Sequence, residues 1–134
     1  MMTIYRSVDI EDVERDVLSQ YMTAFCPPLP ATYPVPCVSV SHTGGDTAAT
    51  SSGKGKVDSF VVVLDARAET HAEASELIRT AVAILEGASG GTISYTALNS
   101  AYSWGADPVR PDLAMCSATL IVTAHREAVN ITEE

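Results

Sequence analysis

At 134 residues the chain has the length of one domain, long enough to bury one sizeable core. A hydrophobic share of 46% excludes a disordered chain, and an aromatic share of only 6% means that Val, Leu, Ile and Ala must build that core. The formal net charge of −9 disfavours an extended basic face for nucleic acid and adsorption to an anionic membrane. The expected partners are proteins, or a nucleic acid that must pass without sticking.

The longest apolar stretch, Phe60-Val61-Val62-Val63-Leu64, is strand length and far short of a membrane span. The opening MMTIYRSVDIEDVERD carries acid and has no basic region followed by an apolar one, so no signal peptide is expected. Cys26, Cys37 and Cys116 form an odd set without a C-x-x-C pair. They are expected as reduced thiols of a cytoplasmic compartment, Cys37 and Cys116 as small buried hydrophobes.

In chain order, residues 8–25 read as an amphipathic helix. Ile10, Val13, Val17, Leu18 and Tyr21 mark its apolar face, and Glu11, Asp12, Glu14, Arg15 and Asp16 the opposite one. Ser7 or Asp9 is the expected N-cap, and Pro27-Pro28 the latest stop. The segment 26–36, CPPLPATYPVP, is a stiff extended connection. Its P-x-x-P spacing at Pro27 and Pro30 lacks the flanking basic residues of an SH3 ligand. Cys37–Ser41 alternates as a half-buried strand with Val38 and Val40 on one face. His42 to Lys56, HTGGDTAATSSGKGK, reads as a long flexible arm. Val57–Ala66 follows as a central strand expected to be buried on both faces, which makes a hairpin with an extended arm.

Thr70-His71-Ala72-Glu73 is a capping box opening a second helix to Glu86. Ala74, Leu77, Ile78, Ala81, Val82 and Leu85 line its apolar face, with Gly87 the expected C-cap. Thr92–Leu98 alternates as a strand. Asn99–Asp112, with Trp104, Gly105, Pro108 and Pro111, reads as a loop, and Leu113–His125 as the final strand. The tail 126–134 is expected to fray. The sum is a single α+β domain over residues 1–134. It has one mostly antiparallel or mixed sheet of about four strands, two helices packed on it, and the order α-β-β-α-β-β.

No chemical motif survives inspection. Ser52-Gly53-Lys54-Gly55-Lys56 resembles a phosphate loop, but the Walker pattern needs Gly at 48 and a hydroxyl at 55, where Ala48 and Gly55 stand. His42, His71 and His125 lack companion ligands at metal spacing, and Glu73 near His71 already has a capping role. A triad of His42, Asp46 and Ser51 or Ser52 would lie on one floppy loop without oxyanion donors. Asp58 and Asp65 fall on opposite faces of their strand and cannot share a cleft. Asn130-Ile131-Thr132 matches a glycosylation sequon and reads as incidental. Tyr102 and Trp104 form either a local mini-core or an interface anchor. No catalytic residue, cofactor or metal is expected.

The order of features resembles the tail terminator (tail completion) proteins of long-tailed bacteriophages and prophages. The residues that carry the likeness are Val38-Ser39-Val40, Gly44-Gly45-Asp46, the strand Asp58–Asp65 with its helix Ala72–Leu85, and Asp107-Pro108 leading to Ala118–Ala124. The likeness covers about residues 8–125 and rests on order and spacing. It implies a structural virion protein, assembled in the bacterial host cytoplasm, that forms a six-membered ring of itself. The ring would cap the tail tube, bind tail-tube protein on one face and offer the other to a head-completion or neck protein, with DNA passing through its lumen. The expected assembly residues are Gly44, Gly45, Asp46, Lys54, Lys56, Tyr102, Trp104 and Asp107. The arm here lacks apolar anchors, which sets it apart. The nearest rival reading is another neck or tail component, a head-closure or tail-tube protein. A small hydrolase or a cytoplasmic adaptor lies further off.

Overall fold

The computed structural model describes residues 1–47, 57–88 and 91–132. The elements run β1 (Met2–Arg6), α1 (Ile10–Ser19), β2 (Ala24–Phe25), β3 (Cys37–Thr47), β4 (Val57–Ala68), α2 (His71–Gly87), β5 (Ile93–Ala106), β6 (Ala114–His125) and β7 (Glu127–Ile131). The fold is α+β, with two helices on a mostly antiparallel sheet ordered β2-β3-β4-β6-β5, and β1 and β7 forming a separate ribbon. The expected order lacks β1, β2 and β7, and the sheet has five strands where about four were expected.

Helix α1 starts where the sequence allows it to. The Asp9 carboxylate accepts the Asp12 N–H at 3.4 Å, so Asp9 is the cap. The rival Ser7 instead donates its hydroxyl to Asp58 at 2.6 Å. The helix ends at Ser19, short of residue 25, and its last turn tightens as the Tyr21 N–H bonds the Leu18 carbonyl three residues back. Ala24 and Phe25 then pair in parallel with Val38 and Ser39. Tyr21, expected on the apolar face, points outward. Ile10, Glu14 and Leu18, four apart, form the buried stripe. Glu14 therefore faces the core and not the acidic side assigned to it.

Pairing places β4 between β3 and β6, and alternation then sorts its side chains. Val62, Leu64, Ala66 and Ala68 of β4 and Cys116, Ala118, Leu120, Val122 and Ala124 of β6 lie buried on one face. Val38 and Val40 extend that face on β3, and Ala74, Ile78, Ala81, Val82 and Leu85 of α2 cover it together with α1. Each fully buried branched side chain contributes about 1.5–3 kcal/mol relative to exposure. The opposite face, with Val61, Val63 and Asp65 of β4 and Ser117, Thr119, Ile121 and Thr123 of β6, is only half-buried. This corrects the expectation that β4 is buried on both sides. A solvated second face is what an antiparallel sheet tolerates and a parallel one does not. Cys37 and Cys116 are buried free thiols.

Thr70 caps α2 as expected, but the Glu73 carboxylate meets the Thr70 hydroxyl and not the backbone N–H of a full capping box. The Glu73 N–H donates to the Thr70 hydroxyl oxygen at 3.2 Å, and that hydroxyl reaches the Glu73 carboxylate at 3.2 Å. Gly87 closes the helix and Ala88 takes the cap position, one residue later than expected. Replacing Thr70 with Ala is expected to cost about 1 kcal/mol. The urea midpoint should fall while its slope stays fixed.

Within the tail expected to fray, residues 127–131 form a strand. Residues 127–131 pair with β1 from Met2 opposite Ile131 to Arg6 opposite Glu127, closed by an Arg6–Glu127 ion pair at 2.6 Å. Arg126 turns inward to the buried Asp58 at 3.2 and 3.3 Å, which fastens the ribbon to β4. No helix among the described residues is long and apolar enough to cross a membrane.

Candidate assembly surface

The residues singled out from the sequence divide into three groups. Gly44, Gly45 and Asp46 lie within β3, Gly45 opposite Phe60 and Asp46 opposite Ser59, so residues 42–47 are strand and not loose arm. A register shift between His42 and Gly45 marks a bulge, with Gly44 at φ 133°, a region that excludes most side chains. Lys54 and Lys56, with the rest of 48–56, lie outside the described residues. The base of the hairpin is held from the helix layer. His42 Nδ1 lies 2.6 Å from a Glu11 carboxylate oxygen, and its ring meets Phe60 edge-on.

Tyr102 and Trp104 were expected in a loop, yet β5 continues through them to Ala106. Three register irregularities along β5 break the alternation that sequence patterning relies on. Tyr102 packs partly buried against the main core. Trp104 lies opposite Cys116, and its ring stacks over His71 at the first position of α2, with centroids 3.4 Å apart. It remains 41% exposed. Tyr102 thus joins the main core and no local mini-core, while Trp104 keeps an open face.

Asp107 is no surface residue. It is 1% exposed, and it organises a second, smaller core of Tyr33, Cys37 and Leu113 with Phe25, Leu29 and Val35 around it. The Tyr33 hydroxyl and the Arg67 Nε, the latter at 2.8 Å, donate to one carboxylate oxygen. The N–H groups of Val109 and Arg110 donate to the other at 2.9 and 3.3 Å. Arg67 also donates to Ser39, and Arg110 donates to the Tyr33 carbonyl and lies over its ring. Burial alone would raise the Asp107 pKa, but the Tyr33 hydrogen bond, the two backbone donors and the Arg67 charge outweigh it and hold it below the ordinary value. The Tyr33 hydroxyl is pushed up in turn, by burial first and by its carboxylate partner second. This cluster ties the proline-rich connection to β3, β4 and the β5–β6 turn.

What remains open is the rim of the sheet. On one side β5 ends the order, and Ile93–Ala106 (ISYTALNSAYSWGA) contains no charged residue and no proline. Tyr95 and Leu98 are exposed on it. On the other side β2 covers only Val38 and Ser39, so among the described residues the outer edge of β3 from Val40 to Thr47 has no strand beside it. The missing charge on 93–106 was readable from the sequence, but nothing in the sequence placed that strand at an edge. No group of three or more His, Cys, Asp and Glu side chains among the described residues is placed to hold a metal ion. Comparison with family models and with curated proteins finds no match.

Proposed function

We propose that this chain is a structural virion protein of the tail terminator type, which assembles with copies of itself into a ring capping a phage tail tube. One face of the ring meets tail-tube protein, the other meets a head-completion or neck protein, and DNA passes through the lumen. The observation that carries the reading is a small α+β domain with two long open strand edges on opposite sides of a single sheet. Contacts between unlike edges are heterologous and propagate until a rotation closes them. The resemblance in feature order supplies the phage setting, and the acidic chain suits a channel that DNA must slide through.

Mass measurement and electron microscopy of the purified protein, alone and with tail tubes, test the reading. A closed ring that stops at one layer and seats on tube ends is expected. Long self-assembled tubes would assign the chain to the tube itself, and a protein that stays monomeric with and without tubes would overturn the proposal.

A further inference from the structure

We infer that the ring joint is a backbone-paired junction in which β5 of one copy adds antiparallel to the outer edge of β3 in the next, along residues 93–100 and 41–47. The inference rests on the ring reading and names the contact that makes the ring. Three independent features of the sheet lead to it.

The first is composition. Natural edge strands are kept from pairing with other chains by charge, proline or brevity. β5 is fourteen residues long and has neither charge nor proline, in a chain whose residues are 19% charged. Its regular stretch from Tyr95 to Leu98, opposite Thr123 to Leu120, carries the exposed Tyr95 and Leu98 side chains. Such an edge in a stable protein calls for a partner strand.

The second is polarity. β3 is antiparallel to β4, β4 to β6, and β6 to β5, so β5 and β3 run in opposite directions. A neighbour related by rotation about an axis along the strands keeps those directions. Its β3 then meets β5 antiparallel, the commoner and stronger pairing.

The third is height. Ser41 pairs with Val63, Val63 with Thr119, and Thr119 with Ser100. Thr47 pairs with Asp58, Asp58 with Ala124, and Ala124 with Ile93. The free stretch of β3 and the first half of β5 therefore occupy the same rows of the sheet. A closed ring has no rise between copies, so edges at one height are what it requires, whereas a helical polymer would pair them offset. Bulges lie within the junction on both strands, at His42–Gly45 on β3 and at Ile93–Tyr95 and Leu98–Ser100 on β5. Bulges bend strands and increase twist, which curves the joined sheet.

The test uses the full chain carrying Ser41→Cys and Ser100→Cys. Within one molecule these positions are three strand spacings apart, roughly 14 Å, too far for a disulfide. Across the junction they face each other. Mild oxidation should give a covalent ladder ending at the ring size, absent from either single variant and from the parent with its three native thiols. In parallel, Tyr95→Lys with Leu98→Lys should keep the native circular dichroism and raise the concentration of half-assembly roughly tenfold or more. Rings that form without the ladder and tolerate the two lysines would overturn the junction and leave the ring reading standing. A ladder of open chains that never seats on tail tubes would uphold the edge pairing and overturn the ring. A monomer without cross-links would overturn both.

Discussion

Replacing Asp107 with Ala is expected to destabilise the domain by about 3–5 kcal/mol, the cost of leaving a buried charge without its partner. The stranded group is Arg67, 8% exposed, whose Nε loses its carboxylate and which keeps the Ser39 hydroxyl at its Nη1 and the Tyr33 ring beneath it. The Tyr33 hydroxyl and two backbone N–H groups lose their acceptor in the same step. Replacing Asp107 with Leu and Arg67 with Met together should recover much of the loss, because a buried pair exchanged for apolar groups is often neutral. A double variant no better than Asp107→Ala would show that cavity and lost turn contacts, and not charge, set the cost.

The same group fixes an acid response. The folded pKa of Asp107 lies below its ordinary value, so its contribution is fully present above the unfolded pKa, near 3.9, and is lost as pH falls through the folded value. The gap between the parent and Asp107→Ala should therefore be constant from neutral pH to about 5 and narrow below about 4. Chemical denaturation at a series of pH values reads this directly. A gap unchanged at pH 3 would mean that the carboxylate is not held charged by its donors.

How much of this was legible in the sequence depends on whether a segment's structure is set locally. The α2 cap and stripe are local, since the Thr70 hydroxyl takes the Glu73 N–H and Ala74, Ile78 and Leu85 share a face by spacing alone. β4 announces itself by β-branched density. β1 and β7 do not, because each is five residues with little alternation and exists through pairing across the whole chain. The span 99–106 looked like a loop because Gly and bulges break the period there, yet the cross-strand partners on β6 keep it in the sheet. Asp107 looked like a surface residue beside a proline, and only the fold brings Tyr33 and Arg67 to it. The edges that carry the functional reading are properties of strand order, and strand order is absent from any local pattern.

Glu14 carries the second large effect. Removing its carboxyl is expected to make the protein more stable, and more so as pH rises. It lies between Ile10 and Leu18 on the buried stripe of α1, with neither oxygen hydrogen-bonded to any described residue. Burial alone raises its pKa from 4.5 to about 7. The native state then binds the proton more tightly than the unfolded chain, so stability is greatest below pH 4.5 and falls as pH rises towards 7. Above that range the loss levels off at about 3 kcal/mol, since each tenfold gain in proton affinity corresponds to about 1.36 kcal/mol. Glu14→Gln keeps the shape and abolishes the titration. Subtracting its stability from that of the parent across pH 4 to 8 cancels every other titrating group. The difference should fall through that window by about 3 kcal/mol. Glu14→Met, apolar and of similar length, should exceed the parent at every pH, because even the protonated carboxyl is buried without a partner, at a cost of about 1–3 kcal/mol. A flat difference curve would mean that the carboxyl reaches water or a cation in solution. α1 would then be held to β3 less tightly than its packing indicates.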